Sequence, residues 1–323
     1  MTDHAFQFIE GNGVRLRVRV LGQGPLIVLV HGWPESWYSY RHQLGPLVAA
    51  GFRVAAIDVR GYGGSDKPEP IAAYSMRNLT ADVAAVIDAL SPGAPAILIG
   101  HDWGAPIVWT TSILYRPRVR AVIGMSVPYL GRSSRPPLEL YRAIYKDRFF
   151  YQLYFQEPGV AERELEADIP ATLRKTYYGA SGARTASERA FTAKRPATAK
   201  FLDGLVDPKP LPAWLREEDI AYYAEQFRGS GFRGPLNRYR NVDTDWHDLQ
   251  LLEGQRITQP ALFIAGESDP VLRFIPNRDM LALMDAHYDD LRGKVVVPGA
   301  GHWVQQEAPE AVNAAILPFL AKF

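Results

Sequence analysis

Short apolar runs recur along this chain, at Leu26–Val30, 52–57, 96–99, 119–127, 261–265 and 294–297. A continuous apolar run is what a strand buried on both faces presents. Between the runs lie stretches that read as helix, at 36–50, 74–90, 105–115, 276–284 and 307–321. In 74–90 the apolar residues Leu79, Val83, Val86, Ile87 and Leu90 share one side. Strands alternating with helices predict an α/β protein, its mostly parallel sheet covered by helices on both faces. At the front, 6–10 and 14–21 alternate in character about Gly11-Asn12-Gly13. That pattern predicts an antiparallel hairpin at a sheet edge.

The rhythm stops after Pro128. From about 132 to 247 no buried-strand run occurs, and the segment is rich in Tyr, Phe, Arg and Glu. Helical patterns stand at 138–154, 160–178, 216–227 and 234–240. Residues 179–200, rich in Ala, Ser, Thr, Gly, Arg and Lys, read as a mobile connection. The expected organisation is an α/β core at 1–131 and 248–323, interrupted by a helical insertion at 132–247. No internal repeat is present.

Composition narrows the chemistry. Of 323 residues, 47% are hydrophobic and 22% charged, as in soluble globular proteins. Lys and Arg number 36 against 35 Asp and Glu, which gives no electrostatic case for nucleic acid. The absence of cysteine excludes disulfides, zinc-thiolate sites and cysteine nucleophiles. The N-terminal MTDHAFQFIEGNG lacks a basic-then-apolar leader pattern. No apolar run reaches the roughly 18 residues that span a bilayer. A soluble, cytoplasmic protein is the expectation.

The run at 96–99 ends in Gly100-His101-Asp102-Trp103-Gly104. The spacing is G-x-D-x-G, where serine hydrolases of one large fold carry G-x-S-x-G. That motif is a sharp strand-to-helix turn that lifts one side chain out of the backbone. Small flanking residues are needed because strand and helix crowd there. Asp102 is therefore a candidate nucleophile, and a helix N-cap is the competing reading. Asp269, in GESDP, and His302, in GAGHW, each follow another predicted strand. Taken singly, Asp269 before Pro270 could start a turn, and His302 could be a loop residue. In a parallel sheet these strand ends share the edge where ligands bind. The order nucleophile, acid, histidine is that of α/β-hydrolase triads.

GHDWG, HGWPESW, DVRGYGGSDKP, GESDP and GAGHW, with PGVAERELE and SGFRGPLNRYRN, carry a wider resemblance. Over nearly its whole length the chain resembles the α/β-hydrolase-fold epoxide hydrolases of the soluble type. The resemblance implies a helical cap inserted after the sixth strand, an Asp nucleophile and two cap tyrosines. The tyrosines match Tyr151, in FFYQLYFQEPG, and Tyr239, in GPLNRYRN, with Tyr154 the alternative to Tyr151. A carboxylate can attack an epoxide carbon without first losing a proton, unlike serine. Asp102 would form an ester while Tyr151 and Tyr239 protonate the opening oxygen. His302, oriented by Asp269, would then activate water, with the backbone N–H groups of Trp33 and Trp103 as oxyanion donors. The implied partners are a small apolar epoxide and water, with no metal or organic cofactor. A homodimer is compatible with an exposed apolar cap face.

Trp33, Trp37, Tyr38, Trp103, Tyr154 and Phe155 are expected to line an apolar pocket, with core packing as the competing reading. Glu35 could orient water or sit at a helix N-terminus. His31 and His101 read as structural, and His4, His42, His247 and His287 as surface or packing residues. The loop GYGGSD lacks the spacing of a phosphate loop. A haloalkane dehalogenase would share the nucleophile, the acid–His pair and Trp103. Such enzymes commonly carry Asn where Trp33 stands. A fluoroacetate-type dehalogenase would place Arg at Trp103. A catalytically silent scaffold would usually lack a triad member, and a serine esterase is opposed by Asp102.

Overall fold

The computed structural model describes residues 6–323, leaving aside the side chain of Phe191. His4 and the start of the N-terminal stretch lie outside the described residues. The strands are β1 (Gln7–Glu10), β2 (Arg15–Leu21), β3 (Leu26–Val30), β4 (Arg53–Ile57), β5 (Ala96–His101), β6 (Val119–Met125), β7 (Ala261–Gly266) and β8 (Leu291–Val297). They form one sheet in the order β1-β2-β4-β3-β5-β6-β7-β8. The hairpin β1–β2 is antiparallel, β2 runs antiparallel to β4, and every pairing from β4 to β8 is parallel. The expected α/β architecture and edge hairpin are both observed.

Alternation along the central strands divides the core in two. Val28 and Val30 of β3 and Leu98 of β5 face the helices Met76–Leu90 and Gly104–Leu114 through Leu79, Val83, Ile87, Ile107 and Trp109. Ile27, Leu29, Ile97 and Ile99 face the other way, onto Leu44, Leu47, Val312, Ile316 and Phe319. Each fully buried aliphatic side chain contributes about 2 kcal/mol. β8 differs from the expectation of a buried run. It is an edge strand with alternating burial, and Val296 is 40% exposed.

Helix ends shift for local reasons. Ser75 caps Met76–Leu90 by accepting the Asn78 N–H, so the helix starts after residue 74. The stretch 36–50 divides into a 3-10 turn at Trp37–Tyr40 and the helix Arg41–Ala49. Of 276–284, only Met280–Leu283 is α-helical, between 3-10 turns. The C-terminal stretch divides into Val304–Glu307 and Pro309–Leu320.

Between β6 and β7 the chain is helical, from Pro137–Tyr145 to Val242–Asp248. The expected helix 138–154 breaks into Pro137–Tyr145 and Tyr151–Tyr154 because Phe149 N–H bonds the Arg195 carbonyl instead. The expected helix 160–178 breaks into Val160–Glu166 and Ile169–Ala180, the second capped by Asp168. Residues 179–200 are not an unstructured connection. They contain the helix Ala186–Ala193, cross-braced by Arg184 and Arg195. The helical segment docks on the loop and 3-10 turn after β3, through Tyr177 Oη on the Pro34 carbonyl and Tyr38 Oη on Asp219. Among the described residues no helix is long and apolar enough to cross a membrane.

Candidate active site

Asp102 stands between β5 and the helix Gly104–Leu114 with a φ of 50°. Few non-glycine residues adopt this conformation, and it is held only where the surroundings over-determine it. The glycines explain how. A Cβ on Gly104 would lie 1.8 Å from the Val30 carbonyl oxygen, and one on Gly32 would lie 2.4 Å from Asp102 Cβ. The Asp102 carboxylate does not cap the helix, whose cap position is Trp103 with no side-chain bond. Its Oδ1 accepts the Trp33 N–H at 2.8 Å. Its Oδ2 lies 3.2 Å from His302 Nε2.

His302 follows β8 and turns its other nitrogen to Asp269, with Nδ1 3.1 Å from Oδ1 and 3.2 Å from Oδ2. Asp269, fully buried, also accepts the Val271 N–H at 2.9 Å, so it starts a turn and orients the histidine at once. Three strand ends thus bring Asp102, His302 and Asp269 into one line. Burial alone would raise the Asp102 pKa, but the hydrogen bonds and positive charge around it, those of His302 foremost, together outweigh this and hold the group below the usual carboxylate range. Burial would lower His302, but Asp269 and then Asp102 push it well above an ordinary histidine.

A cavity of about 190 Å³ opens onto this line, and Tyr151 and Tyr239 form part of its wall. Their ring centroids are 5.7 Å apart. Tyr151 Oη accepts the Gln152 amide N–H at 3.1 Å. Tyr239 packs edge-on to Trp103, with ring centroids 5.3 Å apart. Both phenols are pushed well above 10 by burial, with the Asp102 charge adding to the effect. They therefore keep their protons across neutral pH. Tyr154 is turned away, and its Oη donates to Glu164 at 2.7 Å. That captured hydroxyl removes Tyr154 both as the alternative to Tyr151 and as a pocket residue.

Comparison with known proteins bears on the fold that carries this site. The α/β-hydrolase fold family matches residues 25–309. Epoxide hydrolase A of Mycobacterium tuberculosis (strain ATCC 25618 / H37Rv) is 43% identical over 318 residues, which cover 97% of this chain and 96% of that protein. An epoxide hydrolase from an endophytic Streptomyces superposes with a TM-score of 0.93 at 42% identity, covering 99% of this chain and 96% of that one. Epoxide hydrolase A from Mycobacterium thermoresistibile gives a TM-score of 0.90 at 45% identity, with 98% of each chain covered. This chain belongs to the α/β-hydrolase-fold epoxide hydrolases.

Within this epoxide hydrolase fold the expected pocket aromatics separate. Trp33 lines the cavity. Phe155 does not; it is fully buried and backs the wall, 5.3 Å from Trp33 and 5.1 Å from Tyr239. Trp103 faces a second cavity of about 270 Å³, and the Arg238 guanidinium lies 4.8 Å from its ring. Trp37 and Tyr38 sit at the junction of core and helical segment, held by Tyr222 and Asp219 through their polar ends. For Trp37 and Tyr38 a polar tip finding a partner far along the chain decided the placement.

Glu35 and His101 form a buried pair behind the triad. Glu35 Oε2 accepts the Gly32 N–H at 3.1 Å and contacts His101 Nδ1 at 2.8 Å. Its Oε1 accepts from Gln305 and Gln306, each at 3.0 Å. His101 Nε2 meets the His302 carbonyl at 2.7 Å. The network ties the Trp33 loop to the His302 loop, and Glu35 is not part of the cavity wall. His31 accepts the Val59 N–H and bonds the Gly32 carbonyl, a structural role. Glu307 gathers the N–H groups of Gly182, Gly301 and Trp303. Gln152, Thr176, Arg184 and Arg195 escaped the sequence reading. Only Gln152, the neighbour of Tyr151, carried any signal.

Proposed function

We propose that this protein hydrolyses epoxides to vicinal diols through a covalent Asp102 ester, with residues 132–247 acting as the cap. The observation that carries the reading is one cavity whose wall holds Asp102, His302, Tyr151 and Tyr239 together. Asp102 Oδ2 attacks an epoxide carbon from behind, and the carbon–oxygen bond of the ring breaks. A phenol proton from Tyr151 or Tyr239 passes to the departing oxygen. With Oδ1 already against the Trp33 N–H, the oxyanion formed later inherits a donor in place. The Trp103 N–H, the first after the nucleophile, is the second donor.

Ester formation neutralises Asp102. One of the charges that raise His302 is then gone, so its pKa falls and it can accept a proton from water. The water oxygen attacks the ester carbonyl, and collapse of the adduct expels the diol. The proton left on the new carboxyl goes to the diol oxygen, and the imidazolium proton restores the phenol. Asp269 holds the ring and supports its positive charge. No step calls on a metal or organic cofactor.

A haloalkane dehalogenase needs free nitrogen donors for its halide. Trp103, which such an enzyme would use as a donor, faces the second cavity and does not line the one that holds Asp102, which favours the epoxide reading. One turnover in heavy-oxygen water tests the route. The first diol should carry no solvent label, because its new oxygen comes from Asp102. Solvent label in that diol, or halide release with no diol from a broad epoxide panel, overturns the proposal.

A further inference from the structure

The main chain of His302 is gripped from two sides. On the core side Ser126, just after β6 and held at a φ of 70°, donates its hydroxyl to the His302 carbonyl at 2.9 Å. On the cap side the His302 N–H donates to the Ala180 carbonyl at 2.9 Å. Ala180 ends the helix Ile169–Ala180. The Tyr177 carbonyl of the same helix accepts the Trp303 Nε1–H at 2.7 Å. Gly179, Ala180, His302 and Trp303 all line the cavity. The two backbones meet at glycines. A Cβ on Gly182 would lie 2.0 Å from the Gly299 carbonyl oxygen, and one on Gly301 would lie 2.3 Å from the Gly182 nitrogen.

Glu307 closes this junction. Its Oε2 accepts the Gly182 N–H at 2.8 Å, the Gly301 N–H at 2.9 Å and the Ser181 hydroxyl at 3.2 Å. Its Oε1 accepts the Trp303 N–H at 3.0 Å. Two of these donors, from Ser181 and Gly182, belong to the cap. The other two, from Gly301 and Trp303, flank His302. All four are neutral. Burial pushes the Glu307 carboxyl up, and these donors pull against it. Glu307 does not line the cavity, so it meets no substrate.

We propose that Glu307 is a positioning residue for ester hydrolysis: it ties the end of a cap helix to the residues on either side of His302, and so sets where the imidazole aims at water. The inference rests on the ester route above. Ring opening does not need this junction. Asp102 is placed by the elbow and the Trp33 N–H, and Tyr151 and Tyr239 stand on other helices, Tyr151–Tyr154 and Arg233–Tyr239. Only the second step asks the imidazole to take a proton from water. A misplacement of about 1 Å can cost such a step about a hundredfold. The cap thereby serves both halves of the reaction, through its phenols in the first and through this helix end in the second.

Rapid-quench measurement separates the steps, with the best substrate among styrene oxide, stilbene oxide and terminal epoxyalkanes. Glu307→Gln keeps the shape but turns an N–H₂ towards donors. Ester hydrolysis should slow about tenfold or more and ester formation stay within about twofold, with the adduct building up in intact mass during turnover. Ser181→Ala removes one of the four donors, and should slow hydrolysis alone by about threefold. Equal slowing of both steps would mean that Glu307 only supports the fold, and overturns the proposal. Hydrolysis at the wild-type rate overturns it as well. Ser181→Ala carries the test where Glu307→Gln fails to fold. His302→Gln separates this proposal from the ester route. No adduct there with any of these epoxides overturns the route itself. An adduct there, with wild-type hydrolysis in Glu307→Gln, overturns the role of Glu307 alone.

Discussion

Asp102 and Tyr239 face one cavity from opposite sides, and different physics holds each in place. On the core side the backbone does the positioning. A positive φ, a glycine pressed against the Val30 carbonyl and a Trp33 N–H on Oδ1 leave Asp102 one orientation. On the cap side side chains do it. Tyr239 ends a seven-residue helix and is wedged by the rings of Trp33, Trp103, Phe155 and Tyr151. Backbone constraints fail abruptly when one atom is added, whereas an aromatic cluster can repack. Chemistry should therefore be brittle in the core, and substrate range adjustable in the cap.

The sharpest break is Asp102→Ala. Diol formation should fall by about 10⁴-fold or more, measured by product chromatography. A smaller loss would mean the core side does not supply the nucleophile. His302→Gln should stop the second half of the reaction and spare the first. Intact mass should then show the chain plus one epoxide, and no adduct would count against the ester. Next comes Gly104→Ala, whose Cβ would meet the Val30 carbonyl at 1.8 Å. It should cost about 3 kcal/mol or more of stability by denaturant unfolding. Wild-type stability there would remove the contrast between backbone and side-chain positioning.

Tyr239→Phe keeps the ring packing and removes only the proton donor. Rapid-quench measurements should show ester formation slowed about a hundredfold, with ester hydrolysis much less affected. Equal slowing of both steps would argue against an acid role. Tyr154→Phe, whose hydroxyl is spent on Glu164, should leave ester formation within about twofold. Asp269→Asn is read on a different axis, as a pH shift. Asp269 raises His302, and only neutral His302 can take a proton from water. Asp269→Asn should therefore move the acid limb of ester hydrolysis to lower pH. A shift to higher pH would contradict the pairing.

The core was the more legible half of the molecule. Strands such as β3 and β7 are buried on both faces, so composition alone bounds them closely. The elbow was legible because the close approach of Gly104 to Val30 leaves a glycine in the sequence. In the cap, helix breaks depend on partners far along the chain, as with Phe149 on Arg195. Tyr151 and Tyr154 lie on one short helix, and only the distant Glu164 tells them apart. Trp37 and Tyr38 looked like pocket aromatics until Tyr222 and Asp219 claimed their polar ends. Residues 179–200 read as loose because their polar side chains suggest solvent. Several of those side chains instead bond carbonyls of the same segment, as Arg184 does with Gly179 and Glu188 and Arg189 with Arg184.

The two oxygens of Asp102 are chemically alike but not equivalent in place: one rests on the Trp33 N–H and the other faces His302. By the ester route the diol leaves with the oxygen that faced His302, and the water that replaces it arrives from the same side. That new oxygen becomes the next nucleophile. The carboxylate thus works as a one-place register, in which each diol carries the atom that water delivered in the turnover before. Transferred from labelled to ordinary water, the protein should release one last labelled equivalent and then none. A carboxylate free to spin between its two seats would spread that label over several products.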